Sequence, residues 1–275
     1  MLISSTQNPK IKDAMRLQNR RERDETGLFL IEGYRELKRA VDSGTVHFEQ
    51  LFICPEFFLG SNEQDLINKV ETEIYTCSQA VFSKLSYRDR PDGMIGIAHQ
   101  MRHTLPSLFP RIAKTKVPFL LVAEAIEKPG NLGTILRSAD AVGIDGVIVC
   151  DKCTDIYNPN VVRASVGTLF AIPVVEATSA ETLIWLQEKN IKVVAATPSA
   201  DVTFTEADFT EPLAIVVGTE QLGLSEAWMQ SADIRVSIPM NGVADSLNVG
   251  AATTLLLYEV LRQRRPYVPD ISLLR

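Results

Sequence analysis

Residues 238–265, IPMNGVADSLNVGAATTLLLYEVLRQRR, pass from a tight polar turn straight into an almost wholly apolar helix. Asp245 and Ser246 have side chains that accept hydrogen bonds from the free N–H groups of a helix start. Leu247, Val249, Ala251, Ala252, Leu255, Leu256, Leu257, Val260 and Leu261 spread over too much of the circumference for a one-sided surface helix, which predicts burial on most sides. Arg262, Arg264 and Arg265 suit the negative end of the helix dipole, and Pro266 stops the helix. Gly250, Ala251 and Ala252 let another backbone come close, so Ser246 and Asn248 at the mouth of such a helix mark the wall of a site.

Upstream of this helix, from Val117, six runs read as strands: PFLLVAE, GVIVC, LFAIPVV, IKVVAAT, LAIVVG and IRVSIP. They are continuous and β-branched rather than alternating, as parallel strands covered on both faces are. Helices are expected between them over residues 132–142, 160–166, 180–190 and 225–230. The alternation implies an α/β fold with a mostly parallel sheet, and in such sheets ligands lie beyond the carboxyl ends of the strands. Three post-strand segments carry polar side chains on glycine-rich backbone: EKPGNLGTILRSADAVG, GTEQLGLSE and the turn at Ser246 and Asn248. None has the dinucleotide fingerprint or a Walker lysine.

Residues 1–105 read as a smaller α/β/α domain, with helices over 8–20 and 34–43 and around 63–71 alternating with short strands. LSYRDRPDG, residues 85–93, reads as an exposed charged loop. The proline-bearing stretch 106–116 reads as a linker, 117–265 as the second domain and 266–275 as a tail. The net charge of −6 excludes a protein that coats nucleic acid indiscriminately. Lys10, Lys12, Arg16, Arg20, Arg21 and Arg23 nevertheless stand against only Asp13 and Glu22, a local excess of +4 and a candidate phosphate-binding surface. Cys150 and Cys153 lack the second ligand pair of a zinc site, so no metal is expected. No apolar run reaches membrane-spanning length and the first residues lack a signal-peptide core, which places the chain in the cytoplasm, away from membranes.

NLGTILRSADAVG, VVGTEQLGLS and IPMNGVADSLNVGAA resemble, in this order, the three motifs of the SpoU (TrmH-type) branch of the SPOUT RNA methyltransferases. RRERDETGLFLIEGYRELKRAV and the PDG loop resemble the L30e-like substrate-binding domain that precedes many of these enzymes. Gly250 departs from the small polar residue often seen there. The resemblance implies methyl transfer from S-adenosylmethionine to a ribose 2′-hydroxyl, a deep trefoil knot and a homodimer built on the helix after Ser246. By motif, the catalytic residues fall on Asn131, Arg137, Glu220, Ser246 and Asn248, and the cofactor on the Thr197 loop, Gly218, Ile238 and Leu247.

Guanidinium is not deprotonated in proteins, so Arg137 is read as a cation that stabilises a developing alkoxide rather than as a base. The L30e-like domain favours rRNA, 23S rRNA in particular, over tRNA. A non-catalytic RNA-binding protein is opposed by the intact motif residues, and a small-molecule methyltransferase by the additional domain and the basic run.

Overall fold

The computed structural model describes residues 2–219 and 221–264. Arg265, the tail 266–275 and Glu220 lie outside the described residues. The chain forms two compact units. One holds the chain up to Arg102 with Glu127–Arg137 and Cys153–Pro173, and the other holds His103–Ile126, Ser138–Lys152 and the chain from Val174 on.

The first unit is built on a mixed five-stranded sheet in the order β1-β4-β3-β5-β2, comprising Leu2–Ile3, Glu73–Cys77, Phe48–Ile53, Met94–His99 and Leu28–Glu32. β1, β4 and β3 are parallel, and β5 runs antiparallel to β3 and β2. The helix expected over 8–20 is broken, with α1 at Pro9–Arg16 and α2 at Arg20–Thr26. The break has a cause. Arg23 of α2 is buried and turns its guanidinium back on the chain, donating to the carbonyls of Leu17 (2.7 Å) and Gln18 (2.9 Å) at the end of α1. Its Nε donates to the buried Asp155 at 2.7 Å. A cation thus satisfies carbonyls that the end of a helix leaves open.

α3 (Tyr34–Ser43) ends, as the sequence predicts, on Gly44 at φ 65°. Residues 85–93 are not the free loop expected. Arg88 donates to Glu36 Oε1 and to the carbonyl of Glu32, each at 2.8 Å, and Asp92 is buried. α4 (Glu63–Ile67) and α5 (Gln79–Leu85) complete this part of the chain, the second of them unanticipated.

The second unit is built on seven strands, all parallel, in the order β10-β12-β9-β11-β6-β7-β8. β6 (Phe119–Glu124), β7 (Gly146–Cys150) and β11 (Leu213–Val217) are buried at every position, which is what their uninterrupted apolar sequence requires. β9 is Lys192–Ala196, β12 Ile234–Ser237 and β10 Val202–Thr203. β8 is only Val174–Ala177, because Leu169 and Phe170 of the expected LFAIPVV strand belong to a 3-10 turn, Thr168–Phe170, in the first unit.

The stretch expected as a linker is helical: α6, Leu105–Ile112, opens on a Thr104/Ser107 capping box and buries Leu108 and Ile112 in the core with Leu120, Val122 and Trp228. Proline in the first turn has no N–H to lose, so Pro106 suits the start of the helix. α7 spans Pro129–Ala141, α8 Pro159–Ser165, α9 Ser179–Glu188 and α10 Glu226–Ser231.

The final helix, α11, runs over Val249–Arg264 and is buried on one side only. Val249, Thr253, Leu256, Leu257 and Val260 face the core. Leu247, Ala251, Leu255 and Tyr258 form an exposed stripe, with Leu255 at 43% and Tyr258 at 48%. The burial on most sides that the sequence predicts is therefore absent from the single chain. Arg264 fixes the far end of α11, donating to the carbonyls of Val117 and Phe209 at 2.9 Å with its guanidinium over the Phe119 ring.

Candidate active site

Three parallel strands that lie side by side, β12, β9 and β11, end at one cleft of about 550 Å3 in the second unit. The segment beyond each strand supplies one wall. Ala196–Ser199 come from the end of β9, Val217–Thr219 and Gln221–Leu224 from the end of β11, and Ile238 and Met240 from beyond β12. Asp245, Ser246 and Leu247 with Val249 and Ala252 of α11 close it. All four expected cofactor residues, Thr197, Gly218, Ile238 and Leu247, therefore line a single cleft, and Ser246 of the expected catalytic set lines it too.

The turn after β11 is held by a pair of backbone hydrogen bonds between Thr219 and Gly223, 3.1 Å each, and by the hydroxyl of Thr219, which accepts from the N–H of Leu222. A Cβ on Gly218 would lie 2.2 Å from the carbonyl oxygen of Gly223, so only glycine lets this turn fold back over its own strand. Gly223 itself has φ 69°, the left-handed region where a side chain is strained.

The start of α11 corrects the expected cap. Asn248 Oδ1 accepts from the N–H of Gly250 at 3.0 Å and its carbonyl from Ala252 at 2.9 Å, so Asn248 takes the cap position rather than Asp245 or Ser246. The two expected cap residues are left facing the cleft. The hydroxyls of Ser138, at the end of α7, and Thr254 of α11 lie 2.6 Å apart and join these two helices within the unit.

Asn131 and Arg137 lie on α7, Asn131 half-buried and Arg137 exposed, both within the first unit. Gly133 between them is obligatory, since a Cβ there would be 2.4 Å from the Cβ of Ala164 on α8. Glu220 is outside the described residues, so no contact is assigned to it.

Sequence reasoning passed over three features. Glu124 ends the interior strand β6, is buried, and accepts from the N–H of Ser225 at 2.9 Å, which anchors the start of α10. Ala125 (φ 50°) and Asp151 (φ 47°) sit in the left-handed region directly after β6 and β7, backbone strain at the same end of the sheet. Met229 and Met240 line the cleft. The position of Met240 just past β12 was an available signal, whereas Met229 lies on α10 and gave none.

The basic run differs from the expectation. Arg23 is buried with Asp155, so it is not a surface cation. Arg16 pairs with Asp13, Arg20 with Asp24, Arg21 with Glu25 and Lys10 with Glu73. Extending the count to Thr26 sets six cations against four acids, which removes much of the local excess. Cys150 is buried, its thiol pushed up to about 12 chiefly by that burial, and it therefore stays protonated. Among the described residues no group of three or more side chains is arranged to hold a metal ion, and no helix is long and apolar enough to cross a membrane.

Residues 118–258 match the SpoU rRNA methylase family, and residues 8–96 match an MRM3-like substrate-binding domain. The chain is 33% identical over 256 residues to the 23S rRNA (uridine(2479)-2′-O)-methyltransferase of Streptomyces viridochromogenes, covering 90% of this chain and 87% of that one. It is similar to the crystal structure of an RNA 2′-O ribose methyltransferase, with 41% identity and a TM-score of 0.81 over 96% of this chain and 99% of the other. It is also similar to the SpoU methyltransferase AviRb of Streptomyces viridochromogenes in complex with AdoMet, with 32% identity and a TM-score of 0.84 over 94% and 98% of the two chains.

Proposed function

The chain belongs to the SpoU rRNA methylase family, and we infer from that membership and from the cleft that it transfers a methyl group from S-adenosylmethionine to a ribose 2′-hydroxyl of 23S rRNA. The observation that carries the reading is the cleft at the ends of β9, β11 and β12. Its volume is in the range of small-molecule sites. Its lining suits an adenosine with a charged tail: apolar walls at Leu222, Leu224, Met229 and Leu247, hydroxyls at Thr197, Ser199 and Thr219, and, among the described residues, the carboxylate of Asp245 to face a cation. S-adenosylmethionine supplies a methyl group already activated by its sulfonium, so no metal is needed.

The work left to the chain is to align the ribose oxygen and to help it lose a proton. In this reading Arg137 stabilises the negative charge that develops on the oxygen and grips the neighbouring phosphate. Ser246 and Asn248 hold the ribose in register, Asn131 orients Arg137, and Glu220 fixes a neighbour by accepting its hydrogen bonds. Residues 1–105 read the RNA and 117–265 carry the chemistry, joined through 106–116 and followed by the tail 266–275. The proposal includes the family's deep trefoil knot and a cytoplasmic setting.

The exposed stripe of Ala251, Leu255 and Tyr258 on α11, continued by Leu247 just before it, supports a homodimer in which a second copy covers it. Sedimentation at micromolar concentration checks this, and a monomer mass contradicts it. For the function, 2′-O-methyl sites are mapped across total RNA from a strain with and without the gene. One site in 23S rRNA should disappear with the gene. Loss of a tRNA site alone overturns the rRNA assignment.

A further inference from the structure

A second cleft, of about 840 Å3, opens in the first unit between α3, α4, α8 and the 85–93 turn. Its exposed charged side chains are Arg35, Arg90 and Arg163 against the single acid Asp89. Its floor is the reverse: Glu36, Glu63 and Asp92 are buried around one arginine, Arg88. Glu36 is raised from the usual carboxylate value because burial outweighs its pairing with Arg88.

Three floor residues are each satisfied at one end and not at the other. Glu63 Oε1 accepts from the N–H groups of Leu59 (3.1 Å) and Gly60 (2.8 Å), and Oε2 has no partner. Asp92 Oδ2 accepts from the N–H of Tyr34 at 2.9 Å, and Oδ1 has none. Arg88 Nη2 donates to the carbonyl of Glu32 and to Glu36 Oε1, its Nη1 donates to Asp92 Oδ2 at 3.5 Å, and Nε has no partner. Only one other buried side-chain atom among the described residues is in this condition, Glu176 Oε1. Unpaired buried polar atoms are costly and uncommon, so their concentration at one cleft calls for a ligand.

We propose that this cleft takes one unstacked guanine nucleotide of the RNA substrate, its phosphates on Arg35, Arg90 and Arg163 and its base edge on Glu63, Asp92 and Arg88. The inference rests on the RNA substrate proposed above. A phosphate alone is repelled by the acidic floor, whereas a nucleotide carries its negative charge at one end and N–H groups at the other. The floor lacks two donors and one acceptor. The Watson–Crick edge of guanine offers N1–H, N2–H and O6, that same set, while uracil offers one donor and two acceptors, cytosine likewise, and adenine one of each. The three floor atoms are covered in this conformation, so the Glu63 and Asp92 carboxylates turn toward the base as it enters.

The test uses the full-length protein and fluorescence anisotropy with three RNA pentamers, UUGUU, UUIUU and UUAUU, I being inosine, which lacks the N2 amino group. Binding should be tightest for guanine, with the inosine and adenine pentamers weaker by about tenfold or more. Glu63→Gln and Asp92→Asn keep the oxygen that the backbone uses and replace the unpartnered one by a donor. Each should erase the guanine preference while leaving thermal stability and S-adenosylmethionine affinity unchanged. Combined Arg35→Gln, Arg90→Gln and Arg163→Gln should weaken all three pentamers alike and lower the salt slope by about two. Equal binding of the three pentamers, or an unaltered preference in both carboxamide variants, overturns the proposal. Methyl transfer to 23S rRNA, assayed in parallel, keeps the two claims apart. Transfer without guanine preference defeats only the cleft, and guanine preference without transfer defeats only the enzyme assignment.

Discussion

The two units use charge in opposite ways. In the first, arginines are built into the fold: Arg23 on Asp155 and two carbonyls, Arg88 on Glu36 and the carbonyl of Glu32. In the second, the described residues that line the cleft are mostly glycine, hydroxyl-bearing and apolar, with Asp245 the one charged group among them. In the mixed sheet with short helices, charged groups tie helix ends and the 85–93 turn, whereas the interior parallel strands β6, β7 and β11 of the second unit are buried at every position and Arg264 ties only the far end of α11. Arg23 in the first unit is therefore a matter of stability, and small residues in the second a matter of ligand fit.

The largest effect should come from the first of these. Arg23→Ala leaves Asp155 buried without its cation and should cost about 3–5 kcal/mol, read by urea denaturation. A loss under about 1 kcal/mol would erase the contrast. Arg137→Ala, at an exposed position, should leave the unfolding midpoint where it is and lower methyl transfer by about 10²–10³-fold, with S-adenosylmethionine affinity retained in a calorimetric titration. Affinity lost together with activity would make Arg137 structural.

Gly218→Ala should weaken S-adenosylmethionine by about 1–3 kcal/mol, since its Cβ must displace the 219–223 turn. Unchanged affinity would mean that this turn does not shape the site. The smallest effect concerns pH. Glu36 is raised by desolvation above its ordinary 4.5, so the folded protein holds that proton longer than the unfolded chain does. Stability from this group is present below 4.5 and is lost as pH rises through the folded value. Glu36→Gln should flatten that decline, followed as melting temperature from pH 4 upward. A decline that steepens instead would give the dominant part to Arg88.

The parallel strands were legible because each is a continuous apolar run of strand length, and the cleft because its residues come directly after those runs. What escaped did so for physical reasons. Arg23 reads as a surface cation because Glu22, Asp24 and Glu25 surround it in sequence, while its partner Asp155 lies 132 positions away. Pro106 and Pro110 read as a linker, although the Thr104/Ser107 box was there to be read as a helix start. Apolar residues right round α11 read as burial, and one chain leaves Leu255 and Tyr258 uncovered.

Alkali distinguishes transfer to a ribose oxygen from every other methylation, because a 2′-O-methyl group blocks cleavage of the adjoining 3′ phosphodiester bond. Purified protein is incubated with 23S rRNA from a strain lacking the gene and with S-adenosylmethionine labelled in the methyl group, and the RNA is then hydrolysed in alkali. The label should be recovered in a single alkali-resistant dinucleotide. Label released on mononucleotides, as base methylation would give, or no incorporation by protein that binds S-adenosylmethionine, contradicts transfer to a ribose oxygen.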